Sequence, residues 1–488
     1  MSTTLNQIVA SLRVKTPEAT ALVEKAYRFS EETHKDQKRL SGESLIEHSA
    51  ITALRLAEFG MDAETVSAGL LHDTIDDGGV EPKKIIYLFG EQIYFMVDGV
   101  SNLSKLKYRG EEEAEQAENL RKLFVSMAKD VRVLIIKLVC RLNNVETLEH
   151  LEPIKRRRIA VETLEIYARL ADRLGMWALK EALEDGAFQY AHPEDFKKTK
   201  ETIKVSKKDG EEKLEKLYRA IATALGENGI RAKVDYRIKS IYSTYKKLKE
   251  KDWDLEKIHD TVALRVIVDN LEDCYRALGI IHSHWTPFPT VHLKDYISTP
   301  KPNGYQSLHT VIFTGDGGRA EVQIRTQKMH DDAEFGIVSH VAYNEAGKPH
   351  EGAKMVGRKL QWMKQLLEWQ KTTKSETSGE FMKSLKTDFF QDQIFVFTPK
   401  GDVIDLPKGA TPIDFAYAIH SDVGDHTTGA KMDGKMVALD TELRSGNVVE
   451  IMVKKSAQPS ERWLEFTQTT LAKKHIRQEV TRRSKNSK

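Results

Sequence analysis

Lys294-Asp295-Tyr296, Lys301-Pro302-Asn303-Gly304-Tyr305-Gln306-Ser307-Leu308-His309-Thr310 and Glu321-Val322-Gln323-Ile324-Arg325-Thr326 follow one another within a single stretch of the chain. The last hexad alternates strictly, so as a strand it places Glu321, Gln323 and Arg325 on one face and sends Val322 and Ile324 to the core. A half-buried strand has no structural need of an acid, an amide and a base in a row. Such a face suits polyphosphate chemistry: cations neutralise phosphate oxygens, an amide orients them, and a carboxylate holds a metal ion or takes a hydroxyl proton. Taken alone, the hexad reads as a solvated edge strand and Asn303-Gly304-Tyr305 as an ordinary turn. Their combination points to a site.

Working outward, the 488 residues make roughly three domains. A hydrophobic content of 40% with 30% charged residues marks a soluble globular protein. The net charge of +2 gives no global field that would draw the chain onto nucleic acid, which disfavours an enzyme that extends RNA. Cys140 and Cys274 form no disulfide framework. Val131 to Cys140, interrupted by Arg132 and Lys137, is not a membrane span, and no apolar leader follows Arg13 and Lys15. A cytoplasmic protein is expected.

Residues 1–195 read as helical throughout. Leu45 to Phe59 has apolar residues at helical spacing and stops at Gly60, and a second helix runs from near Asp62 to His72-Asp73. If that helix continues, Asp73, Asp76 and Asp77 share a face. With His48 and His72 they form a divalent-metal candidate suited to manganese, iron or zinc; the competing reading is a solvated acidic helix end beside a core histidine.

Residues 196–370 read as a second domain. An element from Tyr236 to Lys251, taken as a helix, puts Lys239, Ser243 and Lys247 on one face with Arg237 at its start, and its N-terminal backbone donors would help cradle a triphosphate. Ala263 to Val268 is apolar and branched enough for a buried strand, with Asp260 at its mouth. Asp260 and Glu321 on neighbouring strands would give the carboxylate pair of a magnesium site. Residues 371–388 are a polar linker. Residues 389–455 carry strands at Ile394 to Phe397, Val403 to Leu406, Lys435 to Leu439 and Val448 to Val453, with a helix from Thr411-Pro412 to about His420, a small β-grasp arrangement. Residues 456–488 begin a further helical region or a basic tail.

These motifs together resemble the Rel/Spo family of guanosine tetra- and pentaphosphate enzymes. His48, His72-Asp73 and Arg141-Leu142-Asn143-Asn144 look like its HD hydrolase domain, with Gln37 to Glu43 similar to the nucleotide-binding loop. Arg237 to Lys247, Asp260 to Arg265, Lys294 to Tyr296, Lys301 to Thr310, Glu321 to Thr326, Ala333-Glu334 and His340 resemble the synthetase domain, and the last domain resembles a TGS domain. The implied fold is multidomain, α and α+β: an all-helical HD domain, a nucleotidyltransferase-like mixed-sheet domain and a small β-grasp domain. The implied reaction moves pyrophosphate from ATP to the 3′-hydroxyl of GDP or GTP, giving (p)ppGpp in the stringent response.

By the same resemblance, Asp260 and Glu321 hold magnesium and Glu321 takes the hydroxyl proton. Arg237, Lys239, Ser243, Lys247, Arg265 and Arg325 grip the ATP phosphates. Lys294, Asp295, Lys301, Asn303, Tyr305, Gln306, His309 and Gln323 line the acceptor pocket, with Tyr305 stacking on guanine. His48, His72 and Asp73 would be manganese ligands, Asp76 and Asp77 the water-activating pair, and Arg39, Asn144 and Thr147 nucleotide contacts. Uncharged transfer RNA on the ribosome is the implied TGS partner.

The departures are specific. Cys140 stands where the family has its fourth metal ligand, an Asp, and Asp76-Asp77 replaces Glu-Asp. The hydrolase pocket is therefore expected to be weak or dead, with a bifunctional enzyme as the rival. A non-catalytic nucleotide or transfer-RNA sensor is the rival of another class. His292 replaces the Arg of one family class, which leaves GDP against GTP open. Tyr236 replaces a Gly, and Asp425, followed by His426, stands at the transfer-RNA-facing His. Full-length family members continue beyond this point, which implies a truncated piece or a short natural form.

Overall fold

The computed structural model describes residues 4–101, 112–238, 240–254, 262–289, 293–301, 303–315, 318–338, 363, 366–367, 369–370, 377–390 and 393–486. The chain divides into two compact units, one of Met1–Ser104 with Arg121–Leu367 and one of Lys105–Leu120 with Glu368–Lys488. Among the described residues no helix is long and apolar enough to cross a membrane.

The N-terminal region is helical, as its periodicity predicts: α1 (Leu5–Ser11), α2 (Pro17–Thr33), α3 (Leu45–Glu58), α4 (Ala63–Leu71), α5 (Pro82–Val100), α6 (Glu112–Lys129), α7 (Arg132–Glu146), α8 (Pro153–Glu162), α9 (Ala168–Arg173), α10 (Trp177–Ala191) and α11 (Pro193–Glu227). The starts are chemically marked. Ser44 and Asp62 cap α3 and α4 with side-chain oxygens, and Gly60 takes φ +81° just after α3. α4 ends with His72 as its C-cap, so the expected continuation through Asp76 and Asp77 does not occur: residues 73–78 are turns. Gly79, in the left-handed region at φ +65°, follows that stretch.

A five-stranded sheet follows in the order β1 (Ala232–Ile238), β2 (Val262–Val268), β5 (Arg319–Thr326), β4 (Leu308–Phe313), β3 (Lys294–Asp295). β2 and β5 are parallel and the other pairs antiparallel. Helices α12 (Ile241–Glu250), α13 (Leu271–His284) and α14 (Gln327–Glu334) accompany it. One face carries Val234, Leu264, Val266, Leu308, Ile312, Val322 and Ile324 into a core with Leu225 of α11 and Cys274, Ala277 and Ile281 of α13. Two expectations fail here. Tyr236 to Lys251 is not one helix: Tyr236–Ile238 completes β1, where Arg237 pairs with Ala263, and the helix starts only at Ile241. Nor is β5 half-buried, since Gln323 and Arg325 are buried along with Val322 and Ile324.

In the second unit, α15 (Ser378–Leu385) opens with a Thr377–Glu380 capping box and buries Phe381 and Leu385, so the expected linker 371–388 is helical at its C-terminal end. There follow β6 (Gln393–Phe397), β7 (Val403–Pro407), α16 (Pro412–Ile419), α17 (Ser421–Asp425), β8 (Thr427–Met432), β9 (Lys435–Val437), β10 (Val449–Val453) and α18 (Thr470–Asn486). The sequence reading places all of these strands except β8, which lies between β10 and β9. Asp414 holds this unit together. Fully buried, its carboxylate accepts from Thr411 N–H and O–H at 2.9 and 3.0 Å and from the backbone N–H of Gln468 and Thr469 at 3.0 and 2.8 Å. Asp414→Ala strands those donors in a dry site and is expected to cost about 3 kcal/mol or more. Urea or thermal denaturation of the second unit measures it, and a change below about 1 kcal/mol contradicts this account.

Candidate nucleotide sites

Strand register assembles the first site. Cα partners run Asp235 to Arg265, Arg265 to Gln323, Gln323 to His309 and His309 to Lys294, so five polar residues stand in one row across all five strands. One step along, Glu321 pairs with Ala263 and Val311. Because side chains alternate, this row lies on the face opposite the apolar core.

Glu321 is the end of a hydrogen-bond chain. Its Oε1 accepts from His309 Nδ1 at 2.9 Å and from Gln323 Nε2 at 3.3 Å, and His309 Nε2 lies 2.8 Å from the Tyr305 hydroxyl. A carboxylate at Nδ1 assigns the proton there, which leaves Nε2 to accept from tyrosine. Burial lowers the His309 pKa, against the pull of Glu321. Tyr305 is set by a tight turn: Gly304 N–H donates to Lys301 O at 2.7 Å with Gly304 at φ +81°, and Tyr305 N–H donates to Asn303 Oδ1 at 3.2 Å. Tyr296 meets Tyr305 and His309 edge-on. The Lys301 ammonium lies 5.4 Å from the Tyr305 ring centroid, with burial pushing its pKa down.

Other predicted residues are placed differently. Arg325, at 2% exposure, is turned to His330 Nδ1 at 2.7 Å and Glu334 at 3.4 Å, and Arg265 approaches the same Glu334 at 3.6 Å. Asp295 is engaged locally, accepting from Tyr275 O–H at 3.0 Å and from Ile297 and Ser298 N–H at 2.9 Å each. Gln306 donates to Ile297 O at 3.2 Å. Ser243 and Lys247 lie on α12, but the backbone donors of that helix start are taken: Ile241 and Tyr242 N–H donate to Asp185 at 3.3 and 3.0 Å, and Ser243 N–H to Ser240. The expected triphosphate cradle at this N-terminus is therefore filled by a carboxylate. Asp260, Lys239, His292 and His340, with the Arg237 side chain, lie outside the described residues.

The sequence reading missed what the helical region contributes. Asp172, Gly175 and Trp177 line one small cleft together with Asn303, Tyr305, Asp332 and Ala333. Nothing in local spacing announces a contact between stretches so far apart in the chain.

The second site lies on α3, α4 and α7. His48, His72 and Asp73 bring one ligand atom each to within 4.8 Å of one another. His72 donates Nδ1–H to Gly69 O at 2.8 Å, and its Nε2 stands 3.1 Å from Asp73. Burial alone would lower the His72 pKa, but Asp73 and the hydrogen-bonded Cys140 hold it well above the ordinary value. Burial and the neighbouring His72 push His48 down to about 3. The Arg39 guanidinium bridges His48 Nδ1 and Asn144 Oδ1, while the Thr147 hydroxyl turns back to the carbonyls of Asn143 and Asn144. Asp76 and Asp77 lie in the turns after α4. As donors, the two imidazoles and the carboxylate that converge suit manganese, iron or zinc; the buried Cys140 thiol touches His72 but is not one of the converging three. In the second unit, Asp425 accepts from Tyr417 O–H at 2.9 Å, and the neighbouring His426 donates Nδ1–H to Asp422 O at 2.8 Å.

Family models match three stretches in order: an HD domain over residues 26–177, the region found in RelA/SpoT proteins over 236–348 and a TGS domain over 394–453. The chain is 45% identical over 463 residues to a guanosine-3′,5′-bis(diphosphate) 3′-pyrophosphohydrolase of Aquifex aeolicus, covering 95% of this chain and 65% of that protein. It is 43% identical to a GTP pyrophosphokinase of Myxococcus xanthus, over 93% of this chain and 60% of the relative. It is 44% identical to the bifunctional (p)ppGpp synthase/hydrolase SpoT of Escherichia coli, over 93% and 64%. The chain thus spans less than two thirds of the length of these relatives. The small alarmone synthetase 2 of Bacillus subtilis, a solved structure, is 29% identical with a TM-score of 0.23, covering 33% of this chain and 93% of that one. With these three regions in one order along one chain and relatives that share nearly its whole length, the chain belongs to the RelA/SpoT family.

Proposed function

We propose that this chain is a (p)ppGpp synthetase that transfers pyrophosphate from ATP to the 3′-hydroxyl of GDP or GTP, acting in the cytoplasm in the stringent response. The observation that carries the reading is the chain Glu321–His309–Tyr305 set in a polar row of the sheet. It links a base able to take a proton to an aromatic able to stack on guanine, within one hydrogen-bonded unit.

The 3′-oxygen attacks the β-phosphorus of ATP, its proton passes to Glu321, and the bond from that phosphorus to the α,β-bridging oxygen breaks to release AMP. His309, kept neutral by burial, fixes the Glu321 carboxylate and Tyr305 together. Lys294, Lys301 and Gln323 orient the acceptor; Arg265, Lys247, Arg237 and Lys239 neutralise phosphates, the Ser243 hydroxyl donates to a phosphate oxygen, and Arg325 joins them only by leaving His330 and Glu334. Glu321 with Asp260 would hold magnesium, an oxygen-seeking ion suited to carboxylates, which supplies charge neutralisation on the phosphoryl oxygens.

The reading of an impaired hydrolase rests on two departures from the family pattern: Cys140 stands at the fourth ligand position, and Asp76 shortens the first carboxylate of the water-activating pair by one methylene. A bifunctional enzyme is the second reading, favoured by the convergence of His48, His72 and Asp73. The TGS domain would meet uncharged transfer RNA or the ribosome, with the His426 ring beside Asp425 the histidine available there.

Glu321→Gln keeps size and removes charge, so synthesis from labelled ATP and GDP should fall by about 100-fold or more with little loss of stability. Near-normal turnover in that variant would remove Glu321 from the chemistry. Cys140→Asp restores an oxygen ligand, and release of pyrophosphate from ppGpp in manganese should rise by about ten-fold or more if the thiol is the lesion. Equal and brisk hydrolysis by both forms would favour the bifunctional enzyme.

A further inference from the structure

We infer that Trp177, from the hydrolase-like region, forms the second wall of the guanine slot of the synthetase site, an inference that rests on the synthetase reading above. The Trp177 and Tyr305 rings are half-buried, with centroids 6.5 Å apart and planes at 36°. A planar base held between two rings makes two contacts of about 3.5 Å each, so a filled sandwich needs about 7 Å and near-parallel planes. The observed pair is about 0.5 Å closer than that and tilted, so a bound base parts the two rings and levels their planes. Both rings line the same small cleft, together with Asp172, Gly175, Asn303, Asp332 and Ala333.

The placement of Trp177 is built rather than incidental. Its loop, between α9 and α10, is tied to the sheet domain at two points: Ile337 N–H donates to Leu174 O at 2.9 Å, and Asn303 Nδ2 donates to Asp172 O at 3.3 Å. Gly336 allows the approach. It lies at φ +62°, and a Cβ there would stand 2.3 Å from Leu174 O and 2.6 Å from Gly175 C. Asp172, whose carboxyl burial would raise but Lys180 holds low, pairs with Lys180 at 3.0 Å, and that ammonium lies 4.5 Å from the Trp177 ring centroid. The indole is thus held by its own helix start while facing Tyr305. A single tyrosine would leave one face of the base in water; Trp177 covers the other.

The test is GDP and ATP binding by calorimetry on the full chain, with wild type, Trp177→Ala, Trp177→Phe and Gly336→Ala compared after their melting temperatures are checked. Trp177→Ala should weaken GDP by about ten-fold, the effect of losing one stacking face, while ATP affinity changes less than about two-fold. Trp177→Phe should retain GDP binding within about three-fold. Gly336→Ala, which leaves both rings intact but unseats the loop, should weaken GDP in the same selective way. GDP affinity unchanged in Trp177→Ala overturns the sandwich, and tighter binding shows instead that the indole fills the slot. A wild-type chain that binds no guanine nucleotide overturns the synthetase reading itself, a separable outcome.

Discussion

A parallel pair of strands cannot be closed by a tight turn, and the rest of the first unit follows from the parallel pairing of β2 with β5. The chain must leave β2 and return in the same direction, and α13, β3 and β4 occupy that crossover. β4 then lies antiparallel on the far side of β5, so β5 becomes an interior strand with both edges bonded. Two consequences follow at once. The register brings Arg265, Gln323, His309 and Lys294 into line from four strands, and β5 is covered on both faces. Its polar side chains are then obliged to find partners, which is why Glu321, Gln323 and Arg325 appear in hydrogen-bonded pairs rather than as solvated charges.

The same requirement separates two kinds of predicted residue. Glu321, His309 and Tyr305 satisfy one another in a chain that runs across the polar face, so their bonds build a site. Asp295 satisfies the start of a turn, so its carboxylate does structural work, as does that of Asp185, which the sequence reading did not single out, on the first N–H groups of α12. The helical site shows the contrast within a single cluster. His48, His72 and Asp73 converge, yet Arg39 rests on the outer nitrogen of His48 and a thiol faces His72. A guanidinium at Nδ1 leaves the imidazole proton on Nε2, the nitrogen directed at Asp73, so ligation there requires Arg39 to release its hold.

Legibility in the sequence followed the range of the interaction. The helix starts near Asp62 and at Thr411 are plain because a cap is decided by a few adjacent residues, and the β5 alternation is plain because its period is two. The division of Tyr236–Lys251 into strand and helix was not, since β1 is held by pairing with β2, and Lys239-Ser243-Lys247 spacing fits a helix whether or not the backbone begins one there. The chain from Tyr305 to Glu321 could be assembled only as a set of candidate residues; its connectivity depends on register. Trp177 was beyond reach because its partner ring is brought to it by a loop contact at Gly336, a position that gives no local sign of what it touches.

That contact belongs to a wider dependence on α10. Glu184, almost fully buried, accepts from Lys246 of α12 at 3.0 Å; Asp185 carries the first turn of α12; and Lys180 and Asp172 set the loop before Trp177. Asp195, at the start of α11, accepts from Tyr245 O–H at 2.7 Å, a third carboxylate tied to α12. Removing one partner from a buried charged pair costs more than the pair contributes, because the other is left unsolvated. A helical domain joined to the sheet through such pairs is part of the sheet domain's own stability: without α10, α12 loses the carboxylate on its first N–H groups and the Tyr305 cleft loses one side. The HD-domain fold is then required by the sheet domain itself, through packing and charge, independently of the chemistry at His48, His72 and Asp73.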